Sequence, residues 1–183
     1  MKNEIRKEFK KKRATMEKAE VLEKSRIICD LFLKSEIYKN AKVIMAYMPL
    51  GNETDTSYII KKAFRDGKRI VLPVTDEQSG DITPCFVLED SKFEKGAFSV
   101  TEPADKVAAN TDDIDVVIVP GIAFDKKGAR VGFGKGCYDR FLNKTNAVKV
   151  GCCYGFQICD DIPGEFHDVK MDFLFTENEG VKI

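Results

Sequence analysis

The segment VVIVPGIAFDKKGARVGFGKGCYDR, from Val116 to Arg140, decides how this chain folds. Its first four residues are apolar, which is typical of a strand buried in a parallel sheet. Pro120 and Gly121 end that strand, and a glycine-rich loop then leads into a predicted helix beginning near Cys137. Ligands of open α/β sheets bind beyond the carboxyl ends of the strands, so this loop is where we expect a binding site.

Three glycines of this loop alternate with an aromatic residue and a lysine: Gly132, Phe133, Gly134, Lys135 and Gly136. Glycine lacks a Cβ, so its backbone can approach an anion and turn N–H groups toward it. The N-terminus of the next helix favours the same anion, and Arg130 and Lys135 add positive charge. Asp139, one turn into the helix, is placed to face a metal ion. The pattern indicates a phosphate-binding loop, with a simple tight connection as the alternative.

Two common phosphate-binding motifs do not fit this loop. A Walker loop requires G-x-x-x-x-G-K-[ST], but Ala129 stands where its first glycine belongs and Gly136 replaces the hydroxyl residue. In the dinucleotide motif G-x-G-x-x-G the third glycine would come one residue later than Gly136. The loop therefore belongs to neither class.

The rest of the chain alternates predicted helices and strands. Apolar spacing predicts helices over 2–16, 21–32 and 56–65 and strands over 43–48, 68–74, 115–119, 148–154 and 173–175. Residues 86–88 and 98–100 are shorter strand candidates, and 76–84 has the composition of a polar turn. We expect one domain over residues 1–183, a three-layer α/β/α fold with a mostly parallel, Rossmann-like sheet.

Composition narrows the function classes. The chain has 183 residues, 43% of them hydrophobic, with 30 basic and 30 acidic side chains, which argues against disorder and against a general nucleic-acid surface. No apolar run approaches the ~18 residues of a membrane span, and the charged first residues argue against a secretory signal. Six cysteines without C-x-x-C spacing and a single histidine, His167, give poor support for a zinc site. We expect a cytoplasmic protein with reduced thiols, and interpret His167 as a minor orienting residue.

The first helix has two possible interpretations. Seven of the first thirteen residues are Lys or Arg, which is most simply a solvated face, and a nucleic-acid arm would need interleaved aromatic residues. Lys2 and Arg6, however, lie four residues apart on one helical face. Two cations on one face are suited to clamp a triphosphate.

Three other candidates are ordinary residues when taken alone. Met48 is typical core filler, and Glu53 precedes a helix for which Asp55 or Thr56 is the expected N-cap. Asp168 lies in a polar turn before the last predicted strand, where a turn or capping role is the simplest interpretation.

Four motifs nevertheless occur in order along the chain. They are Lys2-Asn3-Glu4-Ile5-Arg6, Glu53-Thr54-Asp55-Thr56, the Gly121–Asp139 segment, and the Pro163–Glu177 segment with His167-Asp168 at its centre. In these motifs the chain resembles the 5-formyltetrahydrofolate cyclo-ligase family, also called methenyltetrahydrofolate synthetases, over its whole length. The hallmark of that family, G-[ILV]-[AG]-F-D-x-x-G-x-R-[LMV]-G-x-G-x-G-[YF]-Y-D, departs from this chain at Cys137, where relatives carry an aromatic residue.

The resemblance implies an ATP- and magnesium-dependent ligase of folate metabolism. Such an enzyme converts 5-formyltetrahydrofolate to 5,10-methenyltetrahydrofolate through a phosphorylated formyl (iminophosphate) intermediate and releases ADP and phosphate. Its partners are these small molecules, not nucleic acid or membrane, and we expect a monomer. A sugar-phosphate isomerase-like enzyme and a nucleotide-binding homologue without turnover are the alternatives; the isomerase would need no ATP and would leave Lys2 and Arg6 without a role.

The resemblance also implies roles for individual residues. Arg130 and Lys135 would be the catalytic cations, and Asp139 with Asp168 would hold magnesium. ATP would be bound by Lys2, Arg6, Arg130, Gly132, Phe133, Gly134, Lys135, Gly136, Cys137 and Tyr138. The folate would be bound by Met48, Glu53, Phe133, Gly134, Lys135, Gly136 and Cys137.

Overall fold

The structure, a computed structural model, describes residues 1–183 and contains five α-helices. They are α1 (Lys2–Ala14), α2 (Lys18–Lys34), α3 (Glu36–Asn40), α4 (Ser57–Arg65) and α5 (Cys137–Leu142). In α2 the buried residues Val21, Ile28, Cys29 and Phe32 repeat with helical spacing, so one face packs inward. None of the helices combines the length and apolar character that a membrane span requires.

Thirteen strands complete the secondary structure. In chain order they are β1 (Val43–Met45), β2 (Arg69–Thr75), β3 (Ile82–Val87), β4 (Phe93–Lys95), β5 (Thr101–Pro103), β6 (Val107–Ala108), β7 (Val116–Val119), β8 (Ala123–Asp125), β9 (Arg130–Val131), β10 (Val148–Cys152), β11 (Ile158–Cys159), β12 (Phe173–Phe175) and β13 (Gly180–Lys182).

Eight of these strands form the central sheet, in the order β13-β12-β10-β7-β1-β2-β3-β6. The five from β12 to β2 are parallel, whereas β13 at one edge and β3 with β6 at the other are antiparallel. All four residues of β7 are buried because both faces of the sheet are covered. The predicted α/β class with a mostly parallel sheet is confirmed.

Side chains of each central strand alternate between two apolar layers. In β1, Ile44 packs with α2, α3 and α4 on one face, whereas Val43 and Met45 pack with Phe141 and Leu142 of α5 on the other. This alternation follows from the two-residue period of a strand and produces the three layers.

A small second sheet carries the glycine-rich segment. Its strands follow the order β11-β8-β9, and α1 lies on it through Phe9, which packs with Ile122, Ala123 and Val131. Because β8 follows β7 almost directly, this sheet places the residues after Arg130 beyond the carboxyl end of the parallel strands.

Several local predictions were wrong. Residues 98–100 are not a strand: Phe98 and Ser99 have φ values of 54° and 65°, which interrupt extended structure. Strand β3 starts at Ile82, inside the predicted polar turn, and β1 ends at Met45. The two-residue strands β6, β9 and β11 are too short for readable periodicity, which is why they were not predicted.

At the start of α4, Thr56 has the N-cap position, but Asp55 makes the hydrogen bond to the helix. Thr56 occupies the N-cap position without a capping hydrogen bond, and its hydroxyl donates to the Tyr47 carbonyl instead. The Asp55 carboxylate accepts the Ser57 N–H at 2.9 Å. As predicted, the helix ends at Arg65. Gly67 follows with a φ of 72°, the left-handed conformation that suits glycine.

Candidate active site

A cleft of about 670 Å³ opens beyond the carboxyl ends of β1, β2 and β7. It collects every residue that the sequence assigned to ATP, folate or metal: Lys2, Arg6, Met48, Glu53, Arg130, Gly132, Phe133, Gly134, Lys135, Gly136, Cys137, Tyr138, Asp139 and Asp168. Such an arrangement of α1, the 48–53 loop, the glycine loop and the 165–168 turn gives one site of ligand size.

The glycine loop needs its glycines for two separate reasons. Gly134 and Gly136 have φ values of 102° and 65°, which residues with a Cβ rarely adopt. A Cβ on Gly132 would lie 2.6 Å from an Arg130 guanidinium nitrogen. Arg140 fastens the loop to the β2–β3 turn, because its guanidinium donates to the carbonyls of Lys135 (3.0 Å) and Ser79 (2.9 Å).

Arg130 forms a fixed positive wall of the cleft. It is only 8% exposed, and its guanidinium donates to the Pro120 carbonyl at 3.2 Å and to Asp139 Oδ1 at 3.0 Å. Its Nε is buried without a hydrogen-bond partner. The ion pair with Asp139 therefore orients this cation and leaves one donor unused.

Lys2 and Arg6 place the first turns of α1 over the same loop. Arg6 Nε donates to the Gly132 carbonyl at 2.8 Å, and the Arg6 guanidinium also contacts Asn3. Lys2 Nζ lies 2.6 Å from Asp168 Oδ2 and 3.4 Å from Glu165 Oε1. The two predicted clamp residues thus reach the glycine loop from one side and the 165–168 turn from the other.

Asp139 and Asp168 line the cleft as charged acceptors. Asp139 uses Oδ1 for Arg130 and for the Val169 N–H, and Asp168 uses Oδ2 for Lys2 and the Glu165 N–H. Burial raises the pKa of Asp168, but the Lys2 hydrogen bond, the Glu165 N–H and the neighbouring positive charges bring it below its usual value. Each carboxylate keeps one oxygen without a hydrogen bond, which leaves a ligand atom available.

The 165–168 turn has two further side chains, Glu165 and His167, that could bind a metal ion together with Asp168. Glu165, His167 and Asp168 bring their ligand atoms within 4.8 Å of one another. His167 Nε2 lies 3.0 Å from Glu165 Oε2 and about half of its side chain is exposed. No sequence pattern predicted a role for Glu165 or its ion pair with Lys2, since Glu165 is one of many exposed acidic residues.

Lys135 has a neighbour that sequence reasoning missed. Its Nζ lies 3.6 Å from the centroid of the Phe98 ring, a cation–π contact. Phe98 lies in the segment predicted as a strand, and its positive φ turns the ring into the cleft lining. No local pattern predicts a left-handed phenylalanine, so this wall was not foreseeable.

Phe133 and Cys137, at the two sides of the loop, are both partly accessible. Phe133 is 46% exposed, and its ring faces Lys10 Nζ at 5.1 Å and the Arg13 guanidinium at 5.9 Å. Cys137 is half-buried as the first residue of α5. Cys137 therefore offers no aromatic surface, whereas the Phe133 ring lines the cleft four residues earlier.

A second region of the cleft lining contains a buried carboxylate, Glu53. Glu53 is 5% exposed; its Oε2 accepts the Leu50 N–H at 2.9 Å, whereas Oε1 makes no hydrogen bond. Arg13 Nη2 lies 3.7 Å from Oε1. Burial raises the pKa of Glu53, and the Leu50 N–H and Arg13 oppose that rise. Met48 also lines the cleft.

Unpaired buried polar atoms concentrate in this cleft. Four side-chain atoms in the chain are buried without a hydrogen-bond partner, and three of them belong to lining residues: Glu53 Oε1, Arg130 Nε and Tyr138 OH. Buried polar groups are nearly always paired in folded proteins, so unpaired ones in a cleft indicate where a ligand supplies the partner.

Comparisons with known proteins agree with this geometry. The model of the 5-formyltetrahydrofolate cyclo-ligase family matches residues 1–177. The mouse 5-formyltetrahydrofolate cyclo-ligase is 27% identical over 187 residues, covering 95% of this chain and 92% of the mouse protein. The Mycolicibacterium smegmatis cyclo-ligase is 30% identical, covering 78% of this chain and 77% of its own. The solved Aquifex aeolicus 5,10-methenyltetrahydrofolate synthetase superposes with a TM-score of 0.88 at 31% identity, covering 99% and 92% of the two chains.

Proposed function

The chain belongs to the 5-formyltetrahydrofolate cyclo-ligase family, and from this we propose how its cleft converts 5-formyltetrahydrofolate and ATP to 5,10-methenyltetrahydrofolate, ADP and phosphate. The observation that carries the proposal is the placement of two kinds of group in one cleft. The cations around the glycine loop are suited to phosphate, and the unpaired Glu53 oxygen is suited to a heterocycle with N–H donors.

The chemistry proceeds in two displacements. The 5-formyl oxygen attacks the γ-phosphorus of ATP, the bond to the β-phosphate oxygen breaks, and ADP leaves. N10 of the resulting iminophosphate then attacks the activated carbon and loses its proton, and phosphate departs with the former formyl oxygen. An amide oxygen is a poor leaving group, so phosphorylation is what makes ring closure feasible.

The side chains around the glycine loop supply charge and position. Arg130 is fixed by Asp139 and has a buried Nε without a hydrogen-bond partner, whereas Lys135 carries a flexible ammonium that can follow the transferred phosphoryl group. Lys2 and Arg6 hold the nucleotide from α1. Phosphoryl transfer depends mainly on positioning and charge neutralisation, which is what these groups provide.

We propose that Asp139 and Asp168 hold magnesium. Both line the cleft, and each has one carboxylate oxygen that makes no hydrogen bond, which fits a hard cation with oxygen ligands. When bound, magnesium would neutralise charge on the phosphate oxygens. Glu165 and His167 are close enough to support the position of Asp168.

The folate end depends on Glu53 and Met48. We propose that Glu53 Oε1 accepts N–H donors of the pterin and that the Met48 thioether lies against its ring. A planar heterocycle needs an apolar wall and a few placed polar groups, and this end of the cleft offers both. Residues Phe133 to Cys137 face both substrates.

We also propose that residues 1–183 act as one domain, as a monomer, and in the cytoplasm. The eight-stranded sheet draws strands from residue 43 to residue 182, which supports one domain. The cleft is complete within a single chain, which supports a monomer.

One assay tests the proposed function. Purified protein is mixed with ATP, magnesium and 5-formyltetrahydrofolate while the methenyl chromophore and ADP are measured, and each component is omitted in turn. We expect equal amounts of methenyl product and ADP, and no product when any component is missing. Folate conversion without ATP hydrolysis would contradict the mechanism, and ATP binding without turnover would favour a nucleotide-binding homologue.

A further inference from the structure

Arg13 is a buried cation that the proposed reaction leaves without a role. It lies in the last turn of α1, is 8% exposed, and its guanidinium donates to the Gly121 carbonyl at 3.3 Å. Its other terminal nitrogen lies 3.7 Å from Glu53 Oε1. Burying a guanidinium is costly unless it is paired, and Glu53 is the acidic partner of Arg13. The question is what this buried pair does for the cleft.

Glu53 is surrounded by groups from three elements. Arg13 of α1 lies 3.7 Å from Oε1, and the Leu50 N–H of its own loop donates to Oε2. Tyr47, after β1, and Tyr138, on α5, are close enough for the charge of Glu53 to raise the pKa of their hydroxyls. Neither tyrosine is charged near neutral pH, since burial raises the pKa of both hydroxyls. Arg13 is therefore the cation that opposes the effect of burial on the Glu53 carboxyl.

The loop that carries Glu53 is also fastened to the end of α1. The Asn52 side-chain amide donates to the Arg13 carbonyl at 3.0 Å and to the Met16 carbonyl at 3.1 Å. Because Arg13 and Glu53 lie on either side of this tie, the distance between their charges is set by the fold rather than by flexible side chains alone.

We propose that Arg13 is a positioning residue for the folate. It favours the carboxylate form of Glu53, whose Oε1 has no hydrogen-bond partner in the cleft lining, so that the enzyme selects a ring edge with N–H donors. The distance of 3.7 Å, too long for a good hydrogen bond, keeps Oε1 available to the substrate. This inference rests on the proposed function and adds the origin of its selectivity.

The first test measures the Glu53 carboxyl itself, without any substrate. Carbon-detected NMR follows the Glu53 carboxyl signal against pH in the parent chain, Arg13→Gln, Arg13→Lys and Lys12→Gln. Loss of the Arg13 charge should raise the pKa of Glu53 further, whereas Arg13→Lys should keep it near the parent value. Lys12 is exposed and paired with Glu8, so Lys12→Gln removes one positive charge from the outer side of α1. This control should leave the pKa of Glu53 unchanged.

The second test measures the two substrates separately. Arg13→Gln should raise KM for 5-formyltetrahydrofolate by about tenfold, because a less ionised Glu53 accepts a weaker hydrogen bond from the substrate, with little change in KM for ATP. A carboxylate that must be ionised loses folate binding as pH falls through its pKa. The acid limb of kcat/KM for the folate should therefore lie at higher pH in Arg13→Gln than in the parent.

A double variant separates this role from a structural one. Arg13→Gln leaves an unpaired carboxylate, whereas Arg13→Gln/Glu53→Gln removes both charges and so keeps the fold testable. In the Glu53→Gln background the Arg13 change should add no further loss of folate affinity. An unchanged Glu53 pKa, or equal losses for folate and ATP, would overturn the inference while leaving the proposed function intact. A parent chain without turnover would instead contradict the proposed function, and the NMR titration would still decide the Arg13–Glu53 pairing.

Discussion

Two regions of the cleft differ in their charges: the phosphate end, around the glycine loop, and the folate end, around Glu53. Around the glycine loop the charges are numerous and already paired within the protein, as in Arg130 with Asp139 and Lys2 with Asp168. At the other end a single carboxylate, Glu53, is nearly inaccessible and keeps one oxygen unpaired. The paired charges of the first end can exchange their partners for the charges of a ligand. The unpaired Glu53 oxygen of the second end can accept a hydrogen bond from a ligand.

Under the proposed function, this difference matches the chemistry of the two substrates. A triphosphate brings several negative charges, so paired cations can release their carboxylates to it or to a metal ion without leaving any charge unsatisfied. A pterin ring brings neutral N–H donors, whose hydrogen bonds are strong only when the acceptor is charged and shielded from water. Changes at the two ends should therefore affect different kinetic constants.

The largest expected effect is at the phosphate end. Lys135→Ala should lower kcat/KM by ~10²-fold or more, the order seen when one preorganised charge donor is lost. Steady-state kinetics measure this, with circular dichroism to confirm the native fold and exposed Lys126→Ala as the matched control. Unchanged kinetics in Lys135→Ala would reduce the glycine loop to a tight connection between strand and helix.

A smaller effect should appear at the folate end. Glu53→Gln keeps the shape but removes the charge, and we expect KM for 5-formyltetrahydrofolate to rise ~30-fold, the scale of a hydrogen bond to a charged group. KM for ATP should change less than twofold, since Glu53 is not among the residues assigned to the nucleotide. Equal effects on both substrates would remove the distinction between the two ends.

Variants of Asp139 and Asp168 test whether these carboxylates bind magnesium. Asp139→Asn and Asp168→Asn should each raise the magnesium concentration for half-maximal activity by roughly fivefold, and the double variant should be non-additive. A magnesium titration of the three variants measures this, with exposed Asp161→Asn as control. Strictly additive effects that do not depend on magnesium would defeat the assignment.

The smallest effect concerns stability. The pKa of Asp168 lies below its usual value, so its contribution is fully present above its unfolded pKa of about 4 and is lost as pH falls through the folded value. Asp168→Asn should lower the free energy of unfolding by at most ~1 kcal/mol near neutral pH, since part of the pair is open to solvent. Urea denaturation at pH 7 and pH 3, with exposed Asp90→Asn as control, should show the difference shrinking in acid.

Sequence reasoning was strongest where a local pattern reports burial. The runs that became β2, β7 and β10 and the helical spacing of α2 identified the parallel sheet and its covering layer. It was weakest between residues 76 and 108, where short antiparallel strands and the left-handed Phe98 have no periodicity. All of the assigned site residues meet in one cleft, but their individual roles stay predictions.

What the sequence determined by itself was the type of sheet, the glycine-rich loop that follows β7 and β9, and the kinds of side chain available for the chemistry. Apolar period and glycine spacing express these directly, because each depends on neighbours within a few residues. Only the tertiary structure decided the partners: Lys2 with Asp168, Arg13 with Glu53, and Phe98 beneath Lys135. Such pairs join residues far apart in the chain, and the packing of α1 and the loops, which no local pattern encodes, sets their distances.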